Sequence, residues 1–261
     1  MIMRPTGLVL LPLIVVMFYV PQVRAAPAGL ALDGYATSVD VNEEPCFPCL
    51  PTHNRSAYLT TTHANDVIVV VAQCGFSRDC SGCADINCDV NSTVDNITSV
   101  TDDGGHAWSL RVEYKPQSSR PIWEYYTIAR DPLSSDKISV TWSGYRGVVG
   151  FVAFGVSGAN IQHPWDPSRN LPVIATGPSV TLSVAGAQDF LIVSTAINDD
   201  QNCQNITPFQ NIANYVYAQA ETDYYVTPIG GSNTATFVCN DSSPWVLLGD
   251  ALQGPPGHGG R

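Results

Sequence analysis

The sequence predicts an all-β protein: a two-sheet antiparallel β-sandwich, jelly-roll-like, with a disulfide-rich loop insertion. Three observations predict it. Short β-branched apolar runs recur along the chain, glycine and proline turns separate them, and no stretch carries the period of a convincing amphipathic helix.

In chain order, the first element is an address. Met1 to Arg4 is a short positive start, Leu8 to Val20 an apolar run, and Val23-Arg24-Ala25 a small-residue cleavage pattern. Residues 1–25 are therefore expected to be a cleaved signal peptide. The run contains Pro12 and is shorter than the ~20 apolar residues a membrane span needs. No membrane span is expected after cleavage. The expected location is extracellular, at the cell surface.

Residues 26–253 are expected to form a single sandwich domain, followed by a flexible tail, 254–261. The strand runs are Gly29–Val41, Ala57–Thr62, Asp66–Gln73, Trp108–Tyr114, Ile122–Arg130, Asp136–Ser143, Val148–Val156, Val180–Val184, Phe190–Ile197, Tyr215–Tyr225, Thr234–Cys239 and Trp245–Leu252. Asp136–Ser143 alternates, with Ile138, Val140 and Trp142 on one face. Val148–Val156 and Phe190–Ile197 are apolar on both faces, as central strands are. Asp103-Gly104-Gly105, Ser143-Gly144, Ser157-Gly158 and Gly230-Gly231 mark turns, and Pro164, Pro167 and Pro172 an irregular crossover. Trp123, Trp142 and Trp245 are expected in the core.

The chain has 12 Lys+Arg against 23 Asp+Glu. Without Arg4 and Arg24 the count is 10 against 23, a net of −13. An acidic surface argues against nucleic acid and against anionic headgroups as partners. Hydrophobic residues make up 44%, enough for a real core rather than a disordered stalk.

Cys46, Cys49, Cys74, Cys80, Cys83 and Cys88 crowd the first half, and Cys203 and Cys239 lie far behind them. In an exported chain such thiols are expected to pair as disulfides. The CxxC spacings of 46–49 and 80–83 leave tetrahedral zinc as the alternative and redox chemistry as a third. Residues 74–96 form the cysteine-rich insertion, whose pairing the spacing does not choose. Cys203 with Cys239 is the natural remaining pair. Five Asn-x-Ser/Thr triplets, at Asn54, Asn91, Asn96, Asn205 and Asn240, are candidate glycosylation sites.

Asp102-Asp103-Gly104-Gly105-His106 is the densest polar cluster. It offers carboxylates for Ca²⁺ or an acid–base pair, but Asp and Gly are also what a hairpin turn requires. Asn198 to Asn202 is a second oxygen-rich loop. Neither has the spacing of a calcium loop, so no cofactor is expected, and no catalytic or metal residue is assigned. The histidines lack ligand spacing, and no GxSxG, HExxH or phosphate-binding glycine loop occurs. Glu113, Glu124, Asp102 and Asp223 are the carboxylates a hydrolase would draw on, with nothing in the spacing to pair any two. Tyr125, Tyr217 and Tyr225 fall on strands, where exposed rings stack on sugars.

Several segments taken in order resemble a known class: Asn65–Val70, Thr98–Trp108, Trp123–Tyr126, Ile138–Thr141, Phe154–Ala159, Pro164–Asp166 and Ser243–Trp245. Together they are similar to secreted prokaryotic β-sandwich modules of extracellular proteins, mostly of uncharacterised function. A weaker likeness is to the β-sandwich subunits of archaeal surface filaments. The resemblance implies the fold and an extracellular setting, and brings no catalytic set with it. The expected function is a secreted, glycosylated structural or interaction protein of the cell surface, a filament or adhesion subunit assembling by strand exchange through Pro27–Asn42. Its expected partners are further copies of itself or surface glycans. The alternative is a carbohydrate-binding module, and behind it a secreted hydrolase.

Overall fold

A computed structural model describes residues 29–38, 54–74, 96–115, 121–143, 149–186, 188–197, 204–205, 208–215, 220–238 and 245–255. These residues are all-β, in sixteen strands. The first eight are β1 (Ala31–Ser38), β2 (Asn54–Leu59), β3 (Asp66–Cys74), β4 (Ile97–Thr101), β5 (Ser109–Tyr114), β6 (Ile122–Ala129), β7 (Asp136–Trp142) and β8 (Val149–Ser157). The second eight are β9 (Val173–Ala175), β10 (Ser179–Val184), β11 (Asp189–Ile197), β12 (Gln204–Asn205), β13 (Gln210–Tyr215), β14 (Ala220–Thr227), β15 (Gly231–Val238) and β16 (Trp245–Gln253).

The two sets repeat one topology. Strands β1 to β8 build a five-stranded sheet, β1-β8-β3-β6-β5, and a three-stranded sheet, β2-β7-β4. Strands β9 to β16 build β9-β16-β11-β14-β13 and β10-β15-β12. Adding eight to each strand number converts the first half into the second. The register repeats as well. Asp66 faces Ala129 as Asp189 faces Thr227, and Val67 faces Val156 as Phe190 faces Leu252. A bulge at Arg111 between β5 and β6 recurs at Ile212 between β13 and β14. Pairing first with eighth, second with seventh and third with sixth is a rolled-up hairpin, the jelly-roll plan. The fifth strand departs from it by joining the sixth in the larger sheet.

The sheets stack in four layers. Even-numbered residues of β3 (Ile68, Val70, Ala72) pack with Trp123 and Phe151 against Leu59, Ile138, Val140 and Trp142 of the first outer sheet. Odd-numbered residues of β3 (Val67, Val69, Val71) face Phe190, Ile192, Val246 and Leu248 of the second inner sheet. Behind that sheet, Leu191, Val193 and Leu247 meet Val180, Leu182, Ala235 and Phe237 of the second outer sheet. Each fully buried Val, Leu, Ile or Phe contributes roughly 1.5–3 kcal/mol of transfer free energy. The antiparallel sandwich expected from sequence is present, as four sheets where two were expected. The crossover with Pro164 and Pro167 joins the halves, and Trp165 bridges to Leu252 as Leu32 pairs with Val156.

The alternation read in β7 is observed, buried at Asp136, Ile138, Val140 and Trp142 and half-buried between them. Trp123 is buried too. The predicted run Tyr215–Tyr225 divides between β13 and β14.

Candidate functional site

Because every neighbour runs antiparallel, connections from odd to even strands leave one end of each sandwich, and those from even to odd the other. The first end holds Cys74 at the close of β3, Asn54 at the start of β2 and Asn96 just before β4. The opposite end of the first half holds Thr60–Asn65, Asp102–Trp108 and Asp131–Ser135, and there the polar chemistry is concentrated.

The expected turn at Asp102–His106 is present, with the Gly105 amide donating to the Asp102 carbonyl at 3.3 Å. Two donors orient the Asp102 carboxylate: the His106 amide to Oδ1 at 2.9 Å and the Trp108 indole to Oδ2 at 2.7 Å. Asp136, first residue of β7, accepts the Gly104 amide on Oδ1 at 3.1 Å. Burial, then the charge of Asp102, pushes the Asp136 carboxyl above the ordinary carboxylate range. A Cβ on Gly104 would lie 2.5 Å from His106 Cε1, so a side chain there would displace the His106 ring. One ligand atom each from Asp102, His106 and Asp136 fall within 4.8 Å of one another, a group able to hold a metal ion.

At the same end, two carboxyls meet in the interior. Asp33 of β1 accepts the Thr62 amide and hydroxyl and the His63 amide at 2.8, 2.6 and 2.8 Å. It also meets Asp66. Burial pushes Asp33 up, but the Thr62 hydroxyl, the Asp66 carboxyl and the two amides outweigh it and hold Asp33 below the ordinary range. Burial, then the Asp33 contact, pushes Asp66 up to about 7. Asp66 is wholly buried, and a proton shared with Asp33 is what lets the two carboxyls lie together there, with the Thr61 side chain weakly opposing the upward shift.

The second half repeats this pair. Asp166 stands where Asp33 stands, accepting the Ser168, Ala185 and Gly186 amides at 2.8, 3.0 and 3.0 Å. Burial, then the charge of Asp166, pushes Asp189 up to about 6. A Cβ on Gly186 would sit 2.4 Å from Asp189 Oδ1, so the turn must be glycine for the acids to meet. An arrangement present at the same register in both halves belongs to the fold.

A third acid pair is not repeated. Between the inner sheets, the bulged Arg111 holds Asp250 with two bonds, at 2.7 and 3.1 Å, and lies 4.6 Å above the Trp165 ring. Glu124 sits beside Asp250, with no exposed surface on either. Burial, then the Asp250 charge, raises Glu124 well above the carboxylate range. Burial raises Asp250 too, but Arg111 opposes it, so the shared proton sits on Glu124.

The sequence-named residues are dispersed. Tyr125 is half-buried against the first outer core and Tyr225 against Phe209 of the second, on different sandwiches. Tyr217 lies outside the described residues. Of the four named carboxylates, Glu113 pairs with Lys115, Asp223 accepts from Asn211 at 2.9 Å, Glu124 meets Asp250 and Asp102 meets His106. Each therefore has a different partner. Asn54 and Asn96 are exposed. Gln204 pairs with Val238, each one residue from a cysteine, Cys203 and Cys239. Those two, with Cys46, Cys49, Cys80, Cys83, Cys88, Asn91, Asn240, Asn198–Asn202 and residues 256–261 of the tail, lie outside the described residues, as do the side chains of Cys74 and Asn205. Residues 31–38 pair with β8 of their own chain.

Sequence reading missed Asp33, Asp66, Asp166, Asp189, Arg111 and Asp250. The available signal was an aspartate opening each of two apolar strands, Asp66 and Asp189, since a charge at a buried strand start needs a partner. No family model, curated protein or solved structure matches this chain.

Proposed function

We propose that this chain is a secreted structural or interaction protein of the cell surface, a glycosylated and disulfide-stapled double sandwich. One observation supports the reading. In chain order, all eight cysteines and all five sequons fall in, or directly beside, segments that follow an odd-numbered strand and precede an even-numbered one. Covalent staples and glycans in those segments would protect the connections while leaving the strands unaltered. The acids support the same reading. Asp66, Glu124, Asp189 and Asp250 expose no surface, so no substrate reaches them.

Strand exchange through Pro27–Asn42 would require β1 to leave β8, its partner in the same chain. The test is recovery of the protein from its native cells, with an antibody for location and peptide mapping without reductant. Surface labelling, paired cysteines and occupied sequons are expected. Recovery inside the cell with free thiols and bare asparagines would refute the proposal.

A further inference from the structure

We propose that Asp102, His106 and Asp136 form a binding site for a divalent transition-metal ion of the zinc type. Their three ligand atoms lie within 4.8 Å of one another, and His106 Nδ1 is 3.1 Å from Asp102 Oδ2. That separation suits two neighbouring ligands on an ion with bonds of about 2.0–2.2 Å.

A second observation points at a ligand. Asp136 is only 8% exposed, and its Oδ2 is buried with no hydrogen-bond partner, while Oδ1 is satisfied by Gly104. His106 Nδ1 is buried too and has the Asp102 carboxylate as its partner, at 3.1 Å. Buried polar atoms are normally satisfied, so a buried carboxylate oxygen left unpaired beside a histidine–carboxylate pair calls for a cation. The supporting shell is in place: the Trp108 indole and the His106 amide fix Asp102. An imidazole nitrogen with two carboxylates selects zinc-like ions over calcium, which takes oxygen ligands.

The internal repeat supplies a control. Leu59 pairs with Asp136 at the end of β2, and at the end of β10 Val184 pairs with Gly231. The second half has no counterpart of the Asp102–Trp108 turn, since only four residues, 206–209, separate β12 from β13. The fold therefore does not require these three side chains. Three protein ligands leave positions for water or for a group on a partner.

The test is calorimetric titration of the full chain with Zn²⁺, with Co²⁺ as a spectroscopic probe. One ion per chain is expected at this site, with a cobalt spectrum free of the intense thiolate band that cysteine ligation gives. His106→Ala and Asp136→Asn should each weaken binding at least ~10-fold, and His63→Ala should leave it unchanged. Asp136 opens a buried strand, so its variant could misfold. His106→Ala lies on a partly exposed turn and decides the matter once its circular dichroism matches the parent. No saturable binding, binding indifferent to His106→Ala, or tighter binding of Ca²⁺ than of Zn²⁺ would overturn the proposal.

Discussion

Replacing Asp66 by Asn separates the shared proton from the shape of the side chain. In the parent, the folded state holds a proton on Asp66 up to about pH 7, while the ordinary value is 3.8. A group raised in the folded state contributes stability below its unfolded value and loses it as pH rises through the folded one. At ~1.4 kcal/mol per pH unit, the span from 3.8 to about 7 amounts to roughly 4 kcal/mol lost between acid and neutral pH. Asp66 has no exposed surface, so solvent screens little of this. Asp33 is ionised throughout that window and contributes no slope. In Asp66→Asn the amide donates to Asp33 at every pH, as the acid proton does only at low pH. Urea unfolding at pH 4.5, 6 and 8 should therefore show the variant gaining on the parent as pH rises. Asp189→Asn should do the same with a smaller gain, about 3 kcal/mol, complete near pH 6–7 because Asp189 is raised only to about 6. If variant and parent unfold with the same pH dependence, the carboxyl pair holds no shared proton and the reasoning fails.

Two further substitutions test the contact between the halves. Arg111→Met leaves Asp250 buried beside Glu124 without its cation, and urea unfolding at pH 7 should report a loss of about 3–5 kcal/mol. Phe190 stacks on Tyr224 at 4.9 Å and on Phe154 of the other half at 6.4 Å, so Phe190→Ala should cost about 3–5 kcal/mol. It should also split a single calorimetric transition into two, because the shared core is what makes the halves unfold together.

Much of the fold was legible because strand patterning is local. Alternation in β7 and the apolar runs of β3, β8, β11 and β16 identify strands without knowledge of their neighbours. The four-layer stack was written there too. A strand of a two-sheet sandwich has one wet face, whereas Val149–Ser157 and Asp189–Ile197 are apolar on both. Strands apolar on both faces need sheets covered on both sides. The repeat was harder to see, since Asp66-Val-Ile-Val-Val and Asp189-Phe-Leu-Ile-Val match in pattern more than in residue. Short strands such as β9 and β12 carry too few residues for a period. The candidate site was half legible. The Asp102–His106 turn announced itself by composition, but Asp136, 30 residues beyond His106, looked like any strand start. Only strand pairing brings it to the turn, and only the stacking of the two inner sheets brings Arg111 to Asp250 across 139 residues.

Equivalent faces meet at the centre of the stack: Val67 and Val69 of one inner sheet correspond in register to Phe190 and Ile192 of the other. The contact has the self-complementary character of a symmetric dimer, carried within one polypeptide. The connection through Pro164 and Pro167 therefore acts as a tether that keeps two partners at high effective concentration. Cut at that tether, the molecule should still hold together at moderate concentration and come apart on dilution, whereas the uncut chain is indifferent to dilution.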